Sequence, residues 1–449
     1  MELEKYSMGI GDRFGLEAAA QLRALQHARE RGVIIVPVWN KSYREHSIIG
    51  TSPDDTRRAA DDAVRTCGWQ GSYYVDADHI GLKSVDRFLE SSNFFTIDVA
   101  DFIGETASAQ ASAVFLRAMA HLKGSLQIPR LRTPIEVTNE LLMNVAEKYL
   151  SAVEEAGRVY RHIEAVKGPG NFVAEISVDE ASEPQTPEEL LFLLGAIARE
   201  QIPIQTIAPK FSGSFLKGVD YVGDVQAFSR EFHEDLAVIA FARETFDLPR
   251  NLKLSIHSGS DKFSLYPIIH RTAAKFNAGF HLKTAGTTWL EEVIGIAASG
   301  GAGLEIAKLV YAEAYERFDE MTKPYLAVVA IDRESLPDPG HVNSWSAQEY
   351  VEALTHDQTC VRFNPQFRQL VHVGYKVAAE MGTRFTSLLQ EYRDTIELHV
   401  TENIFRRHVE PLFLGYPTYT SPDGGGISGN LRKHGARTQH SEEDQKTCR

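Results

Sequence analysis

Eight short runs of β-branched and aromatic residues, separated by helical segments, constrain this chain more than any other feature. They are Gly32–Val38, Ser72–Val75, Asn93–Ile97, Asn171–Val178, Ile202–Ile207, Leu252–Ile256 and the shorter Ala278–Leu282, with a first strand near Lys5–Met8. Most are continuously apolar rather than alternating, the mark of parallel strands buried on both faces. Helical patterns such as Leu16–Glu30 and the short Ser84–Leu89 lie between them. Eight strands with intervening helices predict an α/β fold, a (β/α)8 TIM barrel rather than an open sheet.

Two Thr-Pro pairs predict helix starts, with Thr as N-cap and Pro in the first turn. Thr133-Pro134 precedes a long apolar stripe from Leu141 through Val145, Tyr149, Val153, Ala156 and Tyr160 to Ile163, about seven turns at helical spacing. Thr186-Pro187 precedes Leu190–Ile197. Beyond residue 290 the pattern becomes mainly helical: Gly300–Tyr315, Ser346–Leu354, Phe367–Met381 and Thr386–Glu397. Pro324–Ile331 reads as either a strand or a buried helical piece. The expected organisation is a barrel over 1–290, a helical extension packed on it over 291–419, and a disordered tail over 420–449, rich in Gly, Ser and charge. No internal repeat is visible.

Lys and Arg total 47 against 61 Asp and Glu, a net charge of −14. Such a chain is not built for nucleic acid or an anionic membrane, and an anionic substrate would need basic residues gathered locally. The three cysteines, Cys67, Cys360 and Cys448, are far apart and lack a CxxC pair, which fits a reducing compartment without a disulfide framework. Met1–Lys5 is charged with no apolar stretch after it, and no uncharged apolar run reaches the ~18 residues of a membrane helix. The expectation is a cytoplasmic protein whose partner is a small molecule, with homo-oligomer formation left open. No strand leads into a GxGxxG fingerprint, the match at Gly424–Gly429 lying in the Gly- and Ser-rich tail, and GxxxxGK[ST] does not occur, which weighs against a nucleotide cofactor.

In such barrels the chemistry sits at strand C-termini and in the loops that follow. After the third strand, Asp78-His79 reads as a metal-ligating His beside an acid/base carboxylate, or as a capped turn. Glu175, within the apolar fifth run, is a ligand, a base or half of an ion pair, and it shares a strand face with Ser177 and Asp179. Lys210 follows the sixth strand and suits a carboxylate or carbonyl unless it is a plain loop lysine. The seventh strand leads into His257, then Ser258, Gly259 and Ser260, which can present hydroxyls and N–H groups, and the charge pair Asp261-Lys262. His281 on the eighth strand could complete a set with His79 and His257, and Lys283 follows it. Three such imidazoles suit Zn²⁺, with Mn²⁺, Ni²⁺ and Co²⁺ as alternatives. Asp12 and Arg13 lie among the glycines of Gly9–Gly15, and Asn40 and Lys41 in Trp39–His46; each segment lines the mouth or is a simple turn. Val371–Val377 and Val400–His408 are polar within apolar contexts, and either close over the mouth or seal the extension against the barrel.

The stretches Gly9–Gly15, Val75–Ile80, Ser255–Pro267, Phe280–Gly286, Arg368–Glu380 and Glu402–Leu414 resemble the tagaturonate epimerase family of bacterial hexuronate metabolism. The resemblance covers about residues 5–415. It implies a metal-dependent barrel that interconverts D-tagaturonate and D-fructuronate, with side activity on the neutral ketoses tagatose and fructose. A weaker similarity to class II aldolases would place a three-His metal site on His79, His257 and His281, and keeps a metal-dependent sugar aldolase as an alternative beside a non-catalytic sugar-acid-binding barrel. The two ketouronates differ at a carbinol carbon β to the ketone, whose C–H the carbonyl does not acidify. Retro-aldol cleavage and re-addition can invert that centre; simple enolisation cannot. Asp78 or Glu175 would then serve as acid/base. Asp12, Arg13, Lys210, Ser258, Asp261, Lys262 and Lys283 would bind substrate, with Lys210, Lys262 or Lys283 holding the carboxylate.

Overall fold

The computed structural model describes residues 1–257, 261–284 and 286–416. Ser258 and the tail expected over 420–449 lie outside the described residues.

The barrel strands are β1 (Tyr6–Gly11), β2 (Val36–Ser42), β3 (Tyr74–Ile80), β4 (Phe94–Asp98), β5 (Val173–Ser177), β6 (Thr206–Ala208), β7 (Lys253–His257) and β8 (Phe280–Thr284). All pair in parallel with their sequence neighbours, and β1 pairs with β8 to close the barrel. The predicted (β/α)8 barrel is borne out. Side chains alternate between the lumen and the helical ring, so the lumen fills in layers. At the N-terminal end Leu3, Val36, Val38, Tyr74, Phe94 and Val173 form an apolar plug. Above it the inward residues turn polar and ionisable: Asp76, Asp78, Thr96, Glu175, His257, His281 and Lys283.

Thr186 caps its helix as expected, in a reciprocal box with Glu189. Thr133 does not. Ile135–Val137 forms a hairpin with Gly124–Leu126, and the long helix Asn139–Lys167 is capped by Thr138, which accepts from the Leu141 N–H. The β-branched residues flanking Glu136 favour pairing over a first helical turn. The predicted stripe is its buried face.

The helix Thr287–Ala298 follows β8, and the chain continues through Gly301–Glu316, Ala347–Leu354, Pro365–Val373, Tyr375–Glu380, Thr383–Glu391 and Arg393–Glu402. Pro324–Ile331 is neither strand nor regular helix beyond a single 3₁₀ turn at Lys323–Tyr325. These helices pack directly on the barrel. The Trp289 indole donates to the Val371 carbonyl at 2.9 Å, Ile396 lies where a Cβ on Gly295 would be, and Phe413 stacks on Phe280 with centroids 4.9 Å apart. Among the described residues no helix is long and apolar enough to cross a membrane.

Candidate active site

Strand β3 positions two carboxylates by simple alternation, Asp76 deep and Asp78 nearer the mouth. His79 should then point outward. It does not, because the β3–β4 register shifts between Ala77 and Ile80 and His79 adopts φ 51°. A left-handed conformation costs a non-glycine residue about 1–2 kcal/mol, and such strain persists where surrounding contacts over-determine it. Here it turns the imidazole into the mouth, 5.2 Å from the His257 ring, centroid to centroid.

Asp179, two residues past β5, lies between these rings. Its carboxylate is 3.0 Å from His257 Nδ1 and 3.6 Å from His79 Nε2. Ligand atoms of His79, Asp179 and His257 all lie within 4.8 Å of one another. Two imidazoles and a carboxylate at a barrel mouth are a donor set suited to Zn²⁺ and to first-row ions such as Mn²⁺, Co²⁺ and Ni²⁺. Glu175 contacts the other nitrogen of His257, Nε2, at 2.9 Å. A carboxylate on the far nitrogen orients a ligating imidazole and leaves Nδ1, the atom beside Asp179, as the donor.

Beneath this set Lys283 sits among carboxylates, 2.8 Å from Asp76, 2.8 Å from Asp78 and 3.3 Å from Glu175. Thr96 donates to Asp76 at 3.0 Å and lies 3.2 Å from Glu175. Burial opposes charge at every one of these groups, and mutual attraction decides the outcome. For Asp78 burial is outweighed by Lys283 and His79, and the carboxyl stays well below its usual range. For Glu175 burial is likewise overcome, by Lys283 and His257. For Asp76 burial prevails and the carboxyl is pushed up to about 6. The imidazoles of His79 and His257 rise despite burial, because Asp78 and Asp179 face the first and Asp179 and Glu175 the second. The surrounding carboxylates thus favour positive charge at both rings, the same field that would favour a cation between them.

The sequence from residue 1 to 412 matches the family model described as tagaturonate epimerase. The chain belongs to the tagaturonate epimerase family. It is 28% identical to the tagaturonate/fructuronate epimerase of Thermotoga maritima over 421 residues, 90% of this chain and 80% of that protein. The crystal structure of fructuronate-tagaturonate epimerase UxaE from Cohnella laeviribosi complexed with one glycerol superposes with a TM-score of 0.76 at 24% identity, covering 92% of this chain and 82% of that one. The native structure of the same protein gives 0.75, again at 24% identity and with the same coverage. The likeness to these structures is one of fold. As a member of the tagaturonate epimerase family the chain is a carbohydrate epimerase, an isomerase.

Within this family member the structure brings together His79, His257, Asp78, Glu175 and Lys283. It does not bring His281 to the pair His79 and His257. Alternation puts His281 and Lys283 both inward, so His281 lies one layer lower, its Nδ1 2.8 Å from Ser7 Oγ and its ring against Phe94. Burial lowers its pKa to about 3, which keeps it neutral. Asp179 takes the third position instead.

The lysines expected to hold a carboxylate are committed elsewhere. Lys283 is enclosed by three of the protein's own carboxylates. Lys210 donates to the Ala181 carbonyl at 2.6 Å. Lys262 is buried and donates to the carbonyls of Leu216 and Val219 at 2.8 and 2.7 Å. Asp261 is fully buried against Arg368, His356 and His408, facing the helical extension rather than the mouth. Asp12 accepts from the N–H groups of Gly15 and Glu17 at 2.7 and 2.8 Å and so shapes the turn after β1. Arg13 pairs with Glu45 and lies 4.0 Å over the Tyr375 ring. Asp179 was visible in the sequence only as a residue sharing the face of Glu175. Asp76 was visible as one of three ionisable groups in Val75–Ile80, without a role of its own, and Lys217 carried no local signal.

Proposed function

We propose that this epimerase interconverts D-tagaturonate and D-fructuronate through reversible carbon–carbon cleavage, with neutral ketoses as weaker substrates, and that it uses a divalent ion held by His79, Asp179 and His257. Membership in the tagaturonate epimerase family over residues 1–412, on a barrel whose mouth gathers two imidazoles with a ring of ionised carboxylates, supports this reading.

When bound, such an ion supplies Lewis-acid polarisation of the substrate's ketone and neighbouring hydroxyl. The protein's residues do the rest. Asp78 is the carboxylate next to the ion site that remains reachable, its side chain 11% exposed against 0% for Glu175. Held ionised by Lys283 and His79, it takes the proton of the β-hydroxyl. The bond between the α and β carbons then opens, the β carbon becoming an aldehyde and its electron pair passing to the ketone-bearing fragment as an enediolate. Rotation of the aldehyde presents its other face, re-addition reforms the bond, and Asp78 returns the proton. Glu175 positions His257 and does not touch substrate.

The test is incubation with each ketouronate, with and without EDTA, followed by NMR. Interconversion that stops on chelation and returns with Zn²⁺ or Mn²⁺ is expected. No interconversion under any divalent ion would overturn the reading.

A further inference from the structure

An acidic mouth poses a problem for a substrate that is itself an anion. Asp76, Asp78, Glu175 and Asp179 surround the reacting end, so a sugar carboxylate, two carbons beyond the inverted centre, must be met by cations elsewhere. Lys210, Lys262 and Lys283 each spend their ammonium on carbonyls or carboxylates of the protein itself.

A second set of groups faces the mouth from the side of the helical extension. Lys217 lies in the loop after β6, half-buried, its backbone N–H tied to the Val328 carbonyl at 2.8 Å. Its ammonium stands 5.7 Å from the Tyr325 ring centre and makes no hydrogen bond or ion pair among the described residues. Tyr325 and Tyr375 share a hydroxyl contact of 2.7 Å, and Arg13 covers Tyr375, its buried Nε without a hydrogen bond among the described residues. Beside them is His372, 1% exposed, with neither ring nitrogen hydrogen-bonded among the described residues. Two glycines make room for that imidazole. A Cβ on Gly286, which has φ +93°, would lie 2.1 Å from His372 Nε2, and one on Gly218 would lie 3.3 Å from its ring. A buried imidazole with neither nitrogen satisfied is costly unless a ligand or water supplies the partner. Here it adjoins the Lys217 ammonium and the Arg13 guanidinium, the first with no hydrogen bond and the second with one unmatched N–H among the described residues.

We propose that Lys217, Arg13 and His372 form the subsite for the substrate's carboxylate, so that the helical extension completes the active site. The assignment rests on the ketouronate reading above. It gives the extension a catalytic purpose: the fragment that must rotate is the one that carries the carboxylate, and a fixed anchor at its far end lets the aldehyde turn without escaping.

Lys217→Met is the first variant, because the side chain is half-buried and its removal leaves no orphaned partner. Loss of one charge-assisted contact made equally to ground and transition states raises KM with kcat preserved. KM for D-fructuronate is expected to rise about tenfold to a hundredfold, with kcat within about threefold. Lys217→Arg should recover most of the loss. Calorimetric titration of D-fructuronate into the wild type and Lys217→Met separates this from the activity itself. Binding that weakens in Lys217→Met supports the subsite even if the wild type proves unable to interconvert the sugars, an outcome that overturns only the proposed function. Unchanged KM and unchanged binding in Lys217→Met, a fall in kcat alone, failure of Lys217→Arg to recover, or a wild type that binds no ketouronate would each overturn the subsite.

Discussion

Arg368 reaches Asp261 with Nη2 2.6 Å from Oδ2, and both side chains are fully buried. Asp261 follows β7 and Arg368 belongs to the helical extension, so the pair joins the two parts of the chain. His356 and His408 add contacts of 3.1 and 3.3 Å to the same carboxylate. Arg368 also donates to the carbonyls of Gly218 and Leu354, both at 2.6 Å, which fixes the loop that carries Lys217. Removing one member of a buried pair strands the other, at about 3–5 kcal/mol. Asp261→Asn should therefore lower the unfolding free energy read from denaturant titration by that amount, and Asp261→Asn with Arg368→Gln should cost less than the two single changes added together. Burial would raise the Asp261 carboxyl, but Arg368 and the histidines hold it well below its ordinary 3.8. Its contribution is then complete above about pH 4 and is lost as pH falls through the depressed value. The stability gap between wild type and Asp261→Asn should be flat near neutrality and close only in acid. A gap that closes above pH 5 contradicts this.

Glu175 and Asp179 test the ion site from two directions. Asp179→Asn removes a donor, and elemental analysis after loading with Zn²⁺ and gel filtration should find bound metal reduced from about one equivalent to near none. Glu175→Gln keeps the donors but loosens His257, and affinity should fall about tenfold to a hundredfold. Full metal content in both variants would remove the ion from these residues.

The strands were legible because parallel barrel strands must be apolar on both faces, and His79 and His257 were legible because they end such strands. The position of His79 in the mouth also needed a register shift and a positive φ, which a linear pattern does not encode. His281 misled because chain order says nothing of depth in the lumen. Lys283 looked like an anion-binding lysine, since one sequence cannot show that Asp76, Asp78 and Glu175 converge on it from other strands. Lys217 sits in a loop without periodicity, and its surroundings come from β1, β3 and the extension. The Thr133-Pro134 signal failed because Thr138, five residues on, offers an N-cap after a β-branched hairpin strand. The sequence of Val371–Val377 fits both closing the mouth and sealing the extension; His372 and Tyr375 within it face Arg13 and the loop after β6.

Asp78→Asn probes the acid/base role without altering shape. A positioned general base contributes about 10²–10⁴ in rate, and kcat should fall within that range while ketouronate binding stays measurable. Because the variant slows re-addition as well as cleavage, trapped intermediates have time to leave, and prolonged incubation should release three-carbon fragments detectable by NMR. Full rate in Asp78→Asn would exclude it as the base.

The pH dependence of substrate binding should follow Lys217. Burial, with Arg13 adding to it, lowers the ammonium to about 8, while Asp78 and Glu180 pull the other way and Arg44 adds a like charge. Those groups face it from the loop after β1, from β3, from the segment after β5 and from the helix Tyr43–Ile49, and Tyr325 faces it from the extension. Below about pH 8 the lysine is charged and KM for a ketouronate should be level. Above it the proton leaves and KM should climb about tenfold per pH unit until the bound form also titrates. Stability moves the opposite way: the unfolded chain binds the proton more tightly, so the free protein gains stability between about pH 8 and its ordinary value of 10.5. Lys217→Arg keeps its charge throughout and should flatten the rise in KM. Lys41, also lowered to about 8 by burial, donates to the Arg13 carbonyl and is untouched by that substitution. An alkaline rise that persists unchanged in Lys217→Arg would assign the titration to Lys41 instead.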